Sequence, residues 1–277
     1  MNNLPSLRET VESHGLLAKK SLGQNFLLDM NITDKIIRCS LTTQNIKDFS
    51  NMDVYEIGPG PGGLTRAVLA ANPHTLTVIE MDVRCIEIMQ EIKSVVGEQL
   101  QIIKGDALQY DFADMLNNFP KQIVSNLPYN ISVPLLICWL KNMKNFAALT
   151  LMFQKEVAER IMASTGNKNY GRISVLAQLV CKIDKLFDLN PSCFVPAPKI
   201  WSSVLLFRPQ AEIIPPEILQ KIEKITELAF GQRRKMIRQS LKSIPDLEHI
   251  CAEIGIETTL RAENITPEQY LAIAQKL

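Results

Sequence analysis

From Val54 to Gln154 short apolar runs alternate with longer stretches in which apolar residues recur every three or four positions. A short run fits a buried strand and the longer period fits an amphipathic helix, so the alternation predicts a parallel sheet with helices on both faces. The expected strands are 54–58, 76–80, 100–104, 122–126 and 148–154, and Leu64 to Ala71 reads as the helix that follows the first of them. Residues 209–216, with a proline at each end, read as a linker. Beyond them 217–242 and 246–277 carry helical spacing throughout, with Thr266-Pro267 as a helix N-cap and first turn. The chain therefore divides into an α/β domain over 1–208 and a smaller, all-helical domain over 209–277.

Polar and glycine residues at the ends of these strands carry the candidate chemistry. Val54 to Ile57 runs into Gly58-Pro59-Gly60-Pro61-Gly62-Gly63, where glycines at 58, 60 and 63 let the backbone pass close to a ligand. Taken literally this is the G-x-G-x-x-G dinucleotide fingerprint, and Glu80, at the end of the next strand, stands where a carboxylate can take two ribose hydroxyls. Two features favour S-adenosylmethionine over a nicotinamide dinucleotide. Glu56 lies just before the first glycine, in reach of a cationic amino-acid moiety, and Pro59 and Pro61 remove N–H groups that a pyrophosphate would use. Asp106 closes the third strand and can accept from an adenine amino group. Strand-end acids are often merely solvated. Four ligand-type groups at the carboxyl ends of four successive strands instead mark the edge where open α/β sheets bind ligands.

The fourth of these groups is Asn126-Leu127-Pro128-Tyr129. The Asn126 amide and the Leu127 carbonyl, held by Pro128, can accept from an exocyclic NH2, and Tyr129 can stack on the ring that carries it. An Asn-x-Pro turn closing a strand explains the tetrapeptide alone equally well. Its place downstream of the glycine turn favours an adenine grip.

These segments resemble the small-subunit ribosomal RNA adenine N6,N6-dimethyltransferase family, whose relatives include the erythromycin-resistance rRNA methyltransferases. The resemblance also runs through Lys20-Ser21-Leu22-Gly23-Gln24-Asn25-Phe26-Leu27, Gln154-Lys155-Glu156-Val157, Tyr170-Gly171-Arg172 and Phe194-Val195-Pro196-Ala197-Pro198-Lys199. Trp201 departs from it, since relatives often carry a smaller or acidic residue there. The resemblance implies a Rossmann-like S-adenosylmethionine-dependent methyltransferase domain with a seven-stranded sheet, two further strands lying near 185–189 and 203–208. It implies dimethylation of N6 on two adjacent adenosines of small-subunit rRNA. Asn126, Leu127, Pro128 and Tyr129 would hold the target base, with Phe194 closing its other face. Glu80 would take the cofactor ribose and Asp106 its adenine, while Glu56, Gly58, Gly60, Asn25 and Leu27 would surround the methionine end, with Asn126 beside it.

Charge adds a second surface. The chain carries a net charge of +1, which does not advertise nucleic acid, so an RNA partner must meet local patches. Arg233, Arg234, Lys235, Arg238 and Lys242 fall between 231 and 242 with no acid among them. At helical spacing Lys235, Arg238 and Lys242 share a face that could meet phosphates, and Lys19 and Lys20 could extend it. The ordinary alternative is a solvated charged face. Six cysteines show no C-x-x-C pair, which indicates neither a zinc site nor a disulfide framework and fits a reducing cytoplasm. No apolar run reaches membrane-spanning length, and no secretory signal opens the chain. The expected partner is rRNA in an immature small subunit, met by a monomer without a metal or a membrane. Competing readings are a large-subunit rRNA methylase, a nicotinamide oxidoreductase, and a non-catalytic assembly or transcription factor on the same fold.

Overall fold

The structure, a computed structural model, describes residues 4–16, 24–110, 112 and 119–277. The first half of the chain runs α1 (Leu7–Ser13), β1 (Phe26–Leu27), α2 (Met30–Gln44), β2 (Asp53–Ile57), α3 (Gly63–Ala70), β3 (Thr75–Glu80), α4 (Val83–Val96) and β4 (Leu100–Lys104). It continues through β5 (Lys121–Ser125), α5 (Ser132–Lys141), β6 (Ala148–Gln154), α6 (Lys155–Ile161), α7 (Arg172–Val180) and β7 (Cys181–Leu189). β8 (Phe194–Val195), β9 (Ser202–Pro209), α8 (Pro216–Gly231), α9 (Ile237–Ser240), α10 (Leu247–Glu253) and α11 (Pro267–Lys276) complete it.

Seven strands form one sheet in the order β4-β3-β2-β5-β6-β9-β7. The first five are parallel, and β9 runs antiparallel to β6 from Leu149↔Phe207 to Gln154↔Ser202. β2 and β5 are buried along their whole length, as strands covered on both faces must be. The core packs Val54, Leu76, Val78 and Val124 from the strands against Val68, Met89 and Ile92 from α3 and α4. From β2 the chain winds outward through β3 and β4, then returns to add β5 on the other side of β2. The order reverses between β2 and β5, and the crevice at their carboxyl ends is the place such a sheet offers a ligand. Helix caps fix the entry into the flanking layers: the Asp82 side chain accepts the Arg84 N–H at the start of α4, and Asp29 does the same from Asn31 at α2.

The chain clusters into two compact units, Met1–Lys155 with Asp184–Arg208, and Glu156–Ile183 with Pro209–Leu277. The second unit thus takes in 156–183 as well as the expected C-terminal region. Packing explains why: α7 sides with α8 and α11, and the buried Tyr170 hydroxyl donates to the Ile265 carbonyl at 3.0 Å. The Phe230 ring sits 5.9 Å from that of Tyr170 and 6.0 Å from that of Tyr270. At the expected N-cap, Thr266 and Gln269 form a reciprocal capping box with Pro267 in the first turn.

The continuous helix expected over 217–242 is not there. α8 ends at Gly231, and Ile237 and Arg238 donate their N–H groups to the carbonyls of Leu260 and Thr258. Those bonds replace the i−4 bonds a helix would make, so tertiary pairing has overridden helical spacing. The sheet also has a companion that the period-2 pattern did not show, a two-stranded ribbon of β1 and β8 pairing Phe26 with Val195 and Leu27 with Phe194.

Candidate active site

A cavity of about 290 Å³ opens at the carboxyl ends of β2, β3 and β5. Its lining includes Asn25, Leu27, Glu56, Gly58, Gly60, Glu80, Asp106, Asn126, Leu127, Pro128 and Tyr129. Residues spread over a hundred positions of sequence meet here because parallel strands place all their carboxyl ends on one edge.

The glycine turn forms the floor, and β1 lies across it. A Cβ on Gly63 would stand 2.6 Å from the Leu27 carbonyl oxygen, and one on Gly60 would stand 3.0 Å from the Phe26 ring. Gly60 also has φ of +55°, the left-handed region that glycine enters at no steric cost. The Gln24 amide, just before β1, donates to Asp82 at 3.3 Å. Asp82 in turn takes the Arg84 guanidinium at 2.6 Å, and those Arg84 bonds hold its carboxyl down to about 2.

Glu56 is buried in β2 and accepts the Thr65 hydroxyl at 2.7 Å. Desolvation pushes its carboxyl up to about 8, the Thr65 bond opposing and the nearby Glu80 charge adding to the rise. Glu80 is raised by burial as well, against N–H bonds from Asp82, Met81 and Gly60 that favour its charged form. Its Oε1 receives the Met81 and Asp82 N–H groups at 2.8 and 2.9 Å, which sets the carboxylate's direction at the strand end. Asp106 is pinned by the Leu108 N–H at 2.9 Å.

Asn126 donates its amide NH2 to the Asn25 carbonyl at 3.1 Å. The partner is an acceptor, so the nitrogen must face it and Oδ1 is the end presented elsewhere. The Tyr129 hydroxyl is 2.8 Å from Ser202 Oγ, which tethers the ring at its far tip, and burial raises its pKa. Ser125 fastens β5 to β2 by donating to the Ile57 carbonyl at 2.7 Å. Together these groups make a cleft with oriented carboxylates on one wall and, on the other, an amide oxygen beside a fixed aromatic face.

Phe194 is placed otherwise than expected. It is 2% exposed, packed in the core with Phe26, Leu27 and Leu64, and does not line the cavity. Its backbone pairs with Leu27, so the ring that a lid would swing over a base instead supports β1 from beneath. Arg233, Arg234, Lys235, Arg238 and Lys242 lie in the other unit. Arg233 is engaged there by Glu263 at 2.7 Å and Asn167 at 3.4 Å, while Arg234, Lys235, Arg238 and Lys242 are exposed. Residues 232–236 are not helical and α9 ends at Ser240, so Lys235 and Lys242 share no helix face with Arg238. Lys19 and Lys20 lie outside the described residues.

Among the cavity residues to which the sequence reading gave no site role are Met81 and Leu108. Met81 is 54% exposed and Leu108 48% exposed, each just beyond an acidic strand end. The signal was available: an exposed apolar side chain one or two residues past an acidic strand end can face a flat ligand.

The family of ribosomal RNA adenine dimethylases matches this chain over residues 15–277. The Ribosomal RNA small subunit methyltransferase A of Rhodospirillum rubrum is 45% identical over 274 residues, covering 99% of this chain and 93% of that protein. Its namesake from Azorhizobium caulinodans is 48% identical over 278 residues, again covering 99% and 93%. Among solved structures, a dimethyladenosine transferase from Plasmodium falciparum superposes with a TM-score of 0.71 at 25% identity, covering 88% of this chain and 94% of its own. The 23S rRNA methyltransferase ErmE gives 0.68 at 23% identity, covering 91% and 99%.

Proposed function

Because the chain belongs to the ribosomal RNA adenine dimethylase family, we infer that its cavity is the active site of an rRNA adenine N6,N6-dimethyltransferase acting on the small subunit. The observation that carries this reading is the oriented Asn126 amide beside the tethered Tyr129 ring. The small-subunit assignment rests on relatives of that name at 45–48% identity, whereas the likeness to a 23S enzyme is at 23% and speaks only of the fold. A nicotinamide oxidoreductase would have no use for the amide and ring pair.

The cavity fits S-adenosylmethionine. Glu56 is a buried acid whose hydrogen-bond partner is the neutral Thr65 hydroxyl and whose charged neighbour is Glu80, a setting suited to an ammonium group. Glu80 would take the ribose hydroxyls and Asp106 the adenine amino group, with Met81 and Leu108 against the adenine faces. Gly60 and Gly63 leave no room for a Cβ beneath the covering strand. When bound, the cofactor supplies a methyl group on a sulfonium.

This chain's residues make the acceptor ready. Adenine N6 is a poor nucleophile because its lone pair is delocalised into the ring. Hydrogen bonds from N6–H to Asn126 Oδ1 and the Leu127 carbonyl favour a pyramidal nitrogen and localise that pair. Tyr129 stacks on the base and holds the ring in line. Proximity and alignment of this kind are worth up to about 7–11 kcal/mol. The alkylated nitrogen is acidic and gives its proton to water, so no strong general base is required.

Exposed Arg234, Lys235, Arg238 and Lys242 offer phosphate contacts, and a monomer working on rRNA of an immature small subunit suits this division of labour. Among the described residues no helix is long and apolar enough to cross a membrane. Incubation with labelled S-adenosylmethionine and immature small subunits, followed by nucleoside analysis, should yield N6,N6-dimethyladenosine. Small subunits left unlabelled while large subunits added in a parallel reaction take up label, or label on another atom, would overturn the reading.

A further inference from the structure

Trp201 stands directly before β9, one residue from the Ser202 that tethers Tyr129. It is 45% exposed, whereas the other tryptophan, Trp139, is wholly buried. A single exposed indole is ordinary on a protein surface, so its neighbours decide whether it marks an interaction site. Its position is nonetheless well defined. The Trp201 carbonyl accepts the Lys155 N–H at 2.8 Å, and Lys155 Nζ lies 5.9 Å from the centre of the ring.

The same segment exposes Val195 and Ile200, and Lys199 between them is exposed too. Lys155 and Lys185 share the carboxylate of Asp188, at 3.6 and 2.9 Å. With Lys199 the patch holds three cations against that one acid. An exposed indole with Lys155 over its ring, next in sequence to the Ser202 that tethers Tyr129, matches the way single strands are held: bases on aromatic faces and phosphates on cations.

Resting on the reading of the cavity as an adenosine methylation site, we propose that Trp201, backed by Lys155, is a second nucleotide subsite that stacks the base adjacent to the one held by Tyr129. Two neighbouring adenosines are modified in turn, so while one occupies the cavity the other needs a place outside it. Trp201 supplies that place. Stacking is tolerant of base identity, so the subsite sets position along the strand and leaves recognition of adenine to Asn126.

Steady-state methylation of immature small subunits by Trp201→Ala and Trp201→Phe tests this. Loss of one stacked base corresponds to a rise in KM for the particle of about 5- to 150-fold. Cofactor affinity measured by calorimetry should hold, and Trp201→Phe, which keeps a ring, should recover most of the loss. Lys155→Gln should fall between the two. In parallel, an rRNA fragment spanning the product adenosines, added to saturation as judged by filter binding, should quench Trp201 and shield it from acrylamide. The buried Trp139 contributes a constant background. An unchanged KM in Trp201→Ala overturns the subsite, and so does a KM rise accompanied by weaker cofactor binding, which would mark a structural role. The fluorescence arm needs no turnover, so a failure of the methylation reading, seen as wild-type protein that makes no N6-methylated adenosine, is told apart from a failure of the subsite.

Discussion

Asn126 draws its importance from which way its amide points, and that direction is set by a single bond to the Asn25 carbonyl. Asn126→Ala should leave S-adenosylmethionine and particle binding intact while turnover falls by about 10²–10³-fold, the usual effect of deleting one oriented transition-state hydrogen-bonding group. Single-turnover methylation set beside filter binding separates the two steps. Glu56 makes a different prediction. Its carboxyl, near 4.5 when solvated, is pushed to about 8 by burial, so at neutral pH the ligand-free protein holds it mostly protonated. If the cofactor's ammonium group sits beside it as proposed, that charge favours the ionised form and binding releases a proton. Affinity for the cofactor should therefore climb with pH to about 8, then turn as the ligand's own α-amino group deprotonates. Calorimetry in buffers of different ionisation enthalpy reads the released proton, and Glu56→Gln should abolish both the release and the climb. Stability of the ligand-free protein follows the opposite course. The raised pKa costs nothing below about 4.5 and progressively more as pH rises toward 8, so Glu56→Gln should unfold at a higher temperature than wild type in mildly alkaline buffer.

β1 and β8 are two residues each, yet they decide how the cavity is closed. Their pairing lays the Leu27 carbonyl over Gly63 at a distance that no Cβ permits. Gly63→Ala should push the covering strand away, costing about 1–3 kcal/mol of stability and weakening cofactor binding together, which thermal unfolding and calorimetry would show. The five parallel strands were legible in the sequence because each is a short apolar run set between helical stretches, and all five lie within one residue of the expected bounds. β1 and β8 are too short to display any period, so only their tertiary pairing defines them. The same holds in reverse at 232–236, where helical spacing continues through Lys235 and the backbone does not, since Ile237 and Arg238 find carbonyls at 260 and 258 instead. Phe194 misled for a related reason: the Pro-x-Pro that follows it suggests a loop, but the residue pairs with Leu27 and its ring fills the core.

Two units with different chemistry make up the chain, one holding the cavity and the other the exposed cations of 234–242. If those cations meet phosphates, replacing Lys235, Arg238 and Lys242 together by Gln should reduce the logarithmic salt slope of substrate binding by about 2 to 3, at 0.7–0.9 per lost contact. Cofactor affinity should be untouched. A triple variant that keeps the wild-type slope would make this a solvated surface. The five parallel strands, the glycine turn, the strand-end carboxylates and the Asn-Leu-Pro-Tyr segment could all be read in advance. Each is a local pattern, and a parallel sheet carries every strand's carboxyl end to one edge without further instruction. The amide orientation of Asn126, the raised Glu56, the buried Phe194 and the break after Gly231 could not be read so. They depend on partners 101 positions away for Asn126 and 168 for Phe194 with Phe26, and the joining of 156–183 to the C-terminal helices likewise rests on Tyr170 reaching a carbonyl 95 residues on. Proximity of that kind exists only once the chain has folded.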